Sequence, residues 1–393
     1  MTINKNILIS GAGISGLTLA YWLQKNGFSP TVIEKRKDLH ARGYMIDFYG
    51  SGYDVSEKMG LIQQLEERSK QYPLSKVKFV DRNGRPRATL DVNKFREVLK
   101  HRYFPIMRGD LETVIYESIK DEVPIRFGVS ATKLEVQKEA VEVELSNGKS
   151  ERYDLVIGAD GIHSNIRKLM WGEEEPFKHF LGFYVACSVI DNFFDTQDTF
   201  LGHFEPKLQA SVYSIGGNKL ATFFGLKSEQ INAHGRKEQM EFLDGRLANL
   251  GWVIPQLLEG TKKSDDFFFD EASQIKLDEW HKDRVALVGD ACQCLTLLAG
   301  QGASMGMAGG YMLADELRKA EGNYKIAFPA YQQRLKPDIE QKQKEARGLA
   351  GSFVPGSKFE VAMALFFFNV ALLPGFSSLF AKQIGAKKFD QIN

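Results

Sequence analysis

The chain opens with a hydrophobic pattern that predicts a strand, a turn and a helix. Residues 6–10 form a short apolar run, and Leu17, Ala20 and Tyr21 then follow at helical spacing. An apolar run of this kind is typical of a buried parallel strand that leads into a helix. A second apolar run, 31–33, ends in Glu34. The N-terminal part therefore predicts a strand-helix-strand unit.

The next stretch is less regular. Residues 35–93 predict irregular structure, with a hairpin signal at 81–84, whereas 106–119 predict a helix with Asp110 as its cap. Short strands are expected at the end of this part, and the last of them returns to the first sheet before a helix that begins near Asn165. These strands are predicted at 125–127, 132–136, 141–145 and 153–157.

The character changes between residues 177 and 275. Short β-rich runs alternate with turns there, and one helix is expected near 237–250. The runs are 183–190, 199–204, 210–215 and 220–226. This pattern predicts an inserted antiparallel sheet, hence a second domain whose aromatic-rich face could hold a flat organic substrate. A plain sandwich face is the alternative.

After residue 275 the strand-loop-helix pattern of the N-terminal part returns. A buried strand ends at Gly289-Asp290, and the glycine-rich residues 299–304 lead into a helix that runs to about Leu317. The fold class predicted is α/β, a Rossmann-like domain interrupted by a β-rich domain. The boundaries expected are 1–176 and 276–345 for the nucleotide-binding domain, 177–275 for the β-rich domain, and 346–393 for a C-terminal helical part.

Composition and charge narrow the possible functions. The chain has 393 residues, with 51 Lys and Arg against 50 Asp and Glu, so no basic field is available to attract nucleic acid or an anionic membrane. The three cysteines, Cys187, Cys292 and Cys294, form neither a disulfide framework nor a zinc set, and no metal is expected. A redox disulfide between Cys292 and Cys294 is the alternative, but the C-x-C spacing would close a strained ring.

Two features bear on location. The N-terminus lacks the pattern of a secretory signal, so we expect a cytoplasmic protein. The apolar stretch 361–373 is too short for a membrane span, which needs about 20 residues. We expect a helix docked on the protein's own surface and no stable membrane insertion; a helix lying on a membrane surface is the alternative.

The candidate chemistry begins with the G-x-G-x-x-G motif at Gly11, Gly13 and Gly16. The first glycine permits the tight turn, the second lets the backbone approach a pyrophosphate, and the third lets helix and strand pack closely. The helix N-terminus then faces the phosphates. Glu34, about 20 residues further on, would accept hydrogen bonds from a free ribose hydroxyl and repel a 2′-phosphate, so the motif predicts FAD or NAD.

Two more loops lie where open α/β sheets bind ligands, at the ends of strands. Asp160-Gly161 follows the strand ending near residue 158, although simple turn chemistry would also explain it. Asp290, at the end of a later strand, could accept from ligand hydroxyls. Three nucleotide-type loops in one chain predict a dinucleotide site. Arg108 is a candidate contact or a solvated surface residue.

Together these motifs resemble the FAD-dependent aromatic hydroxylases of the p-hydroxybenzoate hydroxylase type. The glycine motif, Asp160-Gly161 and Gly289-Asp290 match the three signatures of that family in order, and Arg108 and Leu111 match its R-x-x-L segment. The resemblance implies that FAD is held by a set of residues along most of the chain. They are Gly11, Gly13, Gly16, Glu34, Lys35, Arg108, Leu111, Asp160, Gly161, Asp290, Gly300, Gly302 and Ala303.

Within this family the chain resembles most the tetracycline-inactivating monooxygenases, the tetracycline destructases. The segments 42–47 and 264–276 and the Phe-rich C-terminal stretch carry the likeness, which implies a C-terminal bridging helix equivalent to 353–380. Phe223, Phe224, Phe366 and Phe367 are then candidates for substrate and lid contacts. Two positions depart from the family pattern, because Gln293 replaces the usual His and Leu297 the usual Pro.

The activity implied is that of a monooxygenase. NAD(P)H would reduce FAD, O2 would form a C4a-hydroperoxyflavin, and its oxygen would pass to an electron-rich phenol or enol carbon of a polycyclic or phenolic substrate such as a tetracycline. His203 and His234 are candidate bases, although solvated histidines explain them as well. The alternatives are a hydroxylase of another aromatic or polyketide metabolite and a non-catalytic FAD-binding sensor. We expect a monomer.

Overall fold

The computed structural model describes residues 4–39, 44–233, 235–296 and 300–371. The strands are β1 (Asn6–Ser10), β2 (Ser29–Glu34), β3 (Met45–Tyr49), β4 (Lys76–Val80), β5 (Pro86–Asp91), β6 (Tyr103–Met107), β7 (Ile125–Phe127), β8 (Ala131–Val136), β9 (Val141–Leu145), β10 (Ser150–Tyr153), β11 (Leu155–Gly158), β12 (Lys178–Asp191), β13 (Thr199–Glu205), β14 (Leu208–Ser214), β15 (Lys219–Lys227), β16 (Phe267–Ile275), β17 (His281–Lys282) and β18 (Val285–Leu287). The helices are α1 (Ile14–Lys25), α2 (Ser51–Met59), α3 (Ile62–Ser69), α4 (Val92–Val98), α5 (Arg108–Glu117), α6 (Asn165–Trp171), α7 (Arg236–Leu247), α8 (Ile254–Lys263), α9 (Asp290–Gln293), α10 (Gly302–Lys319), α11 (Tyr324–Phe353) and α12 (Lys358–Val370).

The first sheet contains six strands in the order β17-β18-β11-β1-β2-β7. All its pairs are parallel except β17 with β18, and Ile7, Leu8 and Ile9 at its centre are fully buried. Strands that are buried on both faces are apolar at successive positions, which explains the uninterrupted apolar run at the start of the chain. The predicted α/β fold is confirmed. A separate three-stranded sheet, β10-β9-β8, lies beside it.

Helices α1 and α10 cross at close range over this sheet. A Cβ atom built on Gly310 would lie 2.9 Å from the backbone of both Ser15 and Leu19, so only glycine fits at the crossing. The close contact brings the start of α10 next to the start of α1. Both helices therefore direct their N-termini toward the same edge of the sheet.

The second sheet contains seven strands in the order β16-β12-β15-β14-β13-β4-β5. Helices α7 and α8 cover one face, where Leu243, Leu247 and Leu257 are fully buried against the strands. The opposite face turns toward the first sheet: the Tyr44 and Phe268 rings lie 6.1 Å apart, and Gln274 bonds the carbonyl of Leu295. The predicted β-rich sheet is present, with α8 and β16 as elements that the hydrophobic pattern did not predict.

Residues 35–93 are not irregular, contrary to expectation. They contain β3, α2, α3, β4, β5 and the start of α4, and the predicted hairpin at 81–84 joins β4 to β5. Strand β4 pairs with β13 in parallel, so the second sheet is antiparallel except at this pair. A boundary between residues 176 and 177 thus separates β4 and β5 from the sheet to which they belong.

Helix α5 begins before the cap position that the sequence predicts for it. Strand β6 runs directly into it, so the cap position is Met107, and Asp110 lies inside the first turn. The Asp110 carboxylate instead accepts a hydrogen bond from the hydroxyl of Tyr72. The prediction of Asp110 as the cap was wrong because the strand leaves no linker before the helix.

The C-terminal part is built from α11 and α12. Helix α11 crosses the expected boundary at 345/346 without a break and reaches from the first core, at Phe328 and Leu335, to Phe223 of the second sheet through Phe353. It is therefore α11 that bridges the two sheets. Helix α12 docks on β5 and β13, and its Phe368 packs on Phe79 of β4, the strand between them. The docked helix expected at 361–373 is confirmed as far as Val370, where α12 ends.

The outer face of α12 is apolar and exposed. Phe359, Met363, Phe366 and Phe367 are 74%, 51%, 61% and 41% exposed. Residues 372–380, the rest of the expected bridging segment, lie outside the described residues. Among the helices that the structure describes, none is both long and apolar enough to cross a membrane.

Candidate cofactor site and active site

The three glycine-containing loops meet at one edge of the first sheet, because β1, β11 and β18 are neighbours in it. Gly11 has a φ of +114°, and a Cβ atom there would lie 2.4 Å from the carbonyl oxygen of Ala159. A Cβ on Gly16 would lie 2.0 Å from the carbonyl oxygen of Gly11, and one on Gly289 would lie 2.2 Å from Ser15 Oγ. The loops pack closely against one another at these glycines and leave the N-terminus of α1 open to a ligand.

Glu34 lies beside the first of these loops, at the end of β2. Its side chain is nearly buried, and Oε2 accepts a hydrogen bond of 2.9 Å from the backbone N–H of Ala12. Oε1 accepts from the backbone N–H and the Nε of Arg36, at 2.9 and 3.1 Å. Oε1 thus already accepts two hydrogen bonds, whereas Oε2 can accept a second one, so the group is held in place and still able to bind a ribose hydroxyl. The neighbouring Lys35 is exposed.

Arg108 places a positive charge next to the glycine motif. Its Nη2 lies 2.8 Å from Oε1 of Glu112, a fully buried carboxylate one helical turn further along α5. A Cβ built on Gly13, which precedes the first residue of α1, would lie 4.0 Å from the same Nη2. A guanidinium beside a helix N-terminus suits a pyrophosphate. The side chain of Leu111, in contrast, is fully buried in the core.

Asp160 shapes the second loop. Its carboxylate accepts hydrogen bonds from the Ser164 hydroxyl and, at 2.9 Å, from the backbone N–H of Ile166, and burial raises the pKa of the group. Gly161 follows with a φ of +81°, which favours glycine. The structure thus gives Asp160 a role in fixing the turn at the start of α6.

Asp290 begins the short helix α9 in the third loop. Its side chain is open to the cleft, yet the protein around the cleft displaces enough water to raise the pKa of the carboxyl, against the opposing effect of Arg108. Gly300 has a φ of +61°, and Gly302 and Ala303 begin α10. Among the described residues, nothing lies within 4 Å of where a side chain on Gly300 or Gly302 would begin. As far as the described residues show, the space beside Gly300 and Gly302 can accept a flat group.

Gln293, which departs from the family pattern, is buried and donates to the carbonyl oxygen of Met305 at 3.1 Å. It fastens the third loop to α10. Leu297, the other departure, lies outside the described residues, as do residues 42–43 of the segment resembling the destructases. Contacts of FAD with the residues assigned to it stay predictions.

Arg167 connects the second and third loops, and sequence reasoning missed it. Its side chain is 1% exposed and donates to the carbonyl oxygens of Ile162 at 2.6 Å and Ala291 at 2.8 Å. Its third partner is the Glu174 carboxylate, at 2.7 Å. The signal available was an arginine directly beside the buried Ile166 on a short helix. A charged side chain in such a place is buried only if it is paired.

The face of the second sheet that turns toward these loops is lined with aromatic and apolar side chains. The Phe223 ring lies 5.8 Å from that of Phe353 on α11, and Tyr213 accepts a hydrogen bond of 2.8 Å from the backbone N–H of Met45. Burial raises the pKa of the Tyr44 hydroxyl well above its usual value, so the group stays protonated at neutral pH. An open cavity of about 980 Å³ lies nearby, between Met107, Val189 and Asp266.

Several predicted site residues lie elsewhere. Phe224 is fully buried between the second sheet and its covering helices, since neighbouring residues of a strand point to opposite faces. Phe366 and Phe367 face outward from α12. His203 is 2% exposed, and its two ring nitrogens lie 2.8 Å from the Val80 carbonyl oxygen and 3.1 Å from Glu205, so it is a structural residue. His234 lies outside the described residues.

The three cysteines are free and buried, and burial raises the pKa of all three thiols. Such thiols are unreactive fillers of the core. In the described ranges, no group of three or more His, Cys, Asp and Glu side chains could hold a metal ion.

A family model described as an FAD binding domain matches residues 4–323. The chain belongs to this family of flavin-dependent monooxygenases. A flavin-dependent monooxygenase of Legionella longbeachae is 33% identical over 90% of this chain and 91% of its own length. The fit of the loops to a dinucleotide agrees with the family, and the resemblance predicted from the motifs is confirmed.

Solved structures of two tetracycline destructases are similar over almost the whole chain. Tet(55) is 30% identical with a TM-score of 0.84, covering 99% of both chains. Tet(51) is 30% identical with a TM-score of 0.81, covering 95% of this chain and 98% of its own. The likeness therefore includes both sheets of this chain and its C-terminal helices α11 and α12.

Proposed function

We propose that the protein uses NAD(P)H and O2 to hydroxylate an electron-rich phenol or enol carbon of a polycyclic substrate, and that tetracycline-type antibiotics are such substrates. The observation that carries the proposal is the likeness to two tetracycline destructases across 95% or more of the chain, which spans the aromatic face of the second sheet. Bound FAD, once reduced, supplies the activated oxygen.

The residues at the first sheet bind the cofactor in this proposal. The N-terminus of α1 and the Arg108 guanidinium hold the pyrophosphate, Glu34 holds the adenosine ribose, and Asp290 holds the ribityl hydroxyls. The N-terminus of α10 supports the flavin ring, because its free N–H groups and its dipole favour negative charge there. Asp160 and Arg167 hold the second and third loops in position through their hydrogen bonds.

The second sheet holds the substrate in this proposal. Phe223 and Phe268 offer aromatic surfaces for a flat ring system, and the end of α11 at Phe353 closes the apolar wall. Tyr44, whose hydroxyl stays protonated, donates a hydrogen bond to a substrate oxygen. The apolar wall keeps water away from the reacting carbon, which limits loss of the activated oxygen to solvent.

The test is a substrate assay with purified protein and FAD. Each of several tetracyclines is mixed with NADPH in air, NADPH consumption is followed by absorbance, and products are analysed by mass spectrometry. We expect substrate-stimulated consumption and a product that has gained one oxygen atom. Unchanged tetracyclines would refute this substrate class, and oxygenated products from other phenols or polyketides would then favour the alternative hydroxylase.

Asp290→Ala provides the matched control. Loss of the ribityl contact should give protein that has lost its yellow colour and does not consume NADPH. Full FAD occupancy in this variant would contradict the assignment of the third loop, whatever the substrate is.

A further inference from the structure

The segment that follows α9 leads toward the loop at Gly300, and it is irregular where it is described. Cys294, Leu295 and Thr296 belong to neither helix nor strand. Thr296 has a φ of +91°, a backbone conformation that β-branched residues rarely adopt. Such a conformation persists only when the surroundings hold it in place.

Two buried glutamines hold the front of this segment. Gln343 of α11 donates to the carbonyl oxygens of Cys294 at 2.9 Å and Ile275 at 2.8 Å. Gln274 of β16 donates to the carbonyl oxygens of Leu295 at 3.1 Å and Gln343 at 2.9 Å. Their side chains are 4% and 0% exposed. Buried carbonyls outside regular structure need donors, and here side-chain amides provide them.

The far side of the segment is held by the residue before Gln343. The Lys342 ammonium donates a hydrogen bond to Oε1 of Gln301, the last residue before α10, while Gln301 itself lies 3.4 Å from the hydroxyl of Tyr49. Two consecutive residues of α11 thus fasten the chain before and after the glycine-rich loop.

The other end of α11 touches the sheet face described above. The Phe353 ring packs on Phe223, and a Cβ built on Gly225 would lie 3.1 Å from Cγ2 of Val354. One continuous helix therefore contacts the aromatic face of the second sheet and both flanks of the glycine-rich loop. Arg347, one turn after Gln343, adds a 2.7 Å hydrogen bond to Oε1 of Gln274.

We propose that Gln274, Gln343 and Lys342 are positioning residues for the flavin ring: they fasten both flanks of the glycine-rich loop to α11 and β16, and so fix the ring relative to the substrate-facing sheet. The proposal needs bound FAD and is independent of which substrate the enzyme oxidises.

The test compares holoenzymes carrying Gln343→Met, Lys342→Met or the control Gln341→Met. Methionine has nearly the length of glutamine but donates no hydrogen bond. Gln341 is exposed and bonds only along its own helix, to Glu345 at 2.8 Å among the bonds described for it. The measurements are the rate of FAD release by fluorescence, the visible spectrum of bound FAD, its reduction potential and the thermal unfolding midpoint.

We expect Gln343→Met to release FAD at least about tenfold faster, because two buried carbonyls lose their donors. A changed ring environment should also shift the potential, and a tenfold change in the relative binding of oxidised and reduced flavin corresponds to about 30 mV. Lys342→Met should shift release and potential in the same direction with less loss of thermal stability, while the control matches the wild type.

A lower unfolding midpoint with unchanged release, spectrum and potential in both variants would overturn the proposal and leave these residues a purely structural role. The same conclusion would follow if the control changed as much as the variants. If Gln343→Met does not fold, the measurements on Lys342→Met alone test the proposal, because the partner of Lys342 is Gln301 on the other flank of the glycine-rich loop.

Discussion

Replacing Arg167 by Met should weaken both the fold and the binding of FAD. The change removes a fully buried guanidinium that donates to Ile162, Ala291 and Glu174 at 2.6, 2.8 and 2.7 Å. Two carbonyl oxygens and one carboxylate lose a donor. Breaking a buried ion pair costs about 3–5 kcal/mol, and each unpaired buried acceptor about 1–3 kcal/mol.

Part of that cost is returned, because burial opposes the charge of Arg167 and lowers its pKa. We therefore expect a net loss of about 3–5 kcal/mol, a large fraction of the about 5–15 kcal/mol that holds a typical protein folded. The corresponding fall in the unfolding midpoint is about 5–10 °C. Because Ile162 and Ala291 flank two cofactor loops, FAD should also be retained less well.

The assay is thermal unfolding of the holoenzyme, followed by circular dichroism and by the flavin fluorescence that appears on release. Arg152→Met, which removes an arginine with a 60% exposed side chain, is the matched control and should change the midpoint little. Arg167→Lys should give an intermediate result, since one ammonium cannot reach all three partners. An Arg167→Met protein with an unchanged midpoint and full FAD content would refute the reasoning.

Three further outcomes follow from the geometry. Gly11→Ala should abolish FAD binding in refolding and expression trials, because the added carbon would lie 2.4 Å from a carbonyl oxygen; normal yellow protein would contradict this. Asp270 and Glu174 flank His163 and raise the pKa of its imidazole to about 9. The folding stability that the charged imidazole contributes should therefore be complete below about pH 6.5 and be lost as the pH rises through 9. Since its side chain is 51% exposed, we expect under about 1 kcal/mol, measured as the difference in chemical unfolding between wild type and His163→Gln across that range. Phe224→Ala should destabilise the fold by about 3–5 kcal/mol in urea titration, whereas Phe223→Ala should mainly raise KM; equal losses of stability would count against the two-faced sheet.

The cofactor loops were predictable because their signals are local. A glycine at a φ of +114° and a helix start lie within a few residues of one another, and the acid at the end of the next strand follows at the spacing typical of this motif. The backbone contact between Gly11 and Ala159 follows once adjacent parallel strands are assumed. The same local logic located Asp290 and the start of α10.

What escaped prediction depends on distant pairing. No local pattern indicates that β4 pairs in parallel with β13, more than a hundred residues away in the chain. Phe223 and Phe224 look alike in sequence, and only the register of β15 decides which faces the cofactor loops. Arg167 and Gln343 act through carbonyls on other elements, so their roles depend on the assembled fold.

The hairpin β4–β5 has a consequence for protein engineering. Residues 177–275 look like a cassette that could be exchanged between relatives to change what the enzyme oxidises. A graft of that segment alone would bring a foreign β13 against the host's β4, at a parallel pairing that runs from Thr199 opposite Lys76 to His203 opposite Val80. The graft would also replace the side chains of β13 that α12 contacts, while the side chains of β5 would stay those of the host. The transferable unit is discontinuous, and an exchange should carry residues 76–91 and α12 together with the sheet.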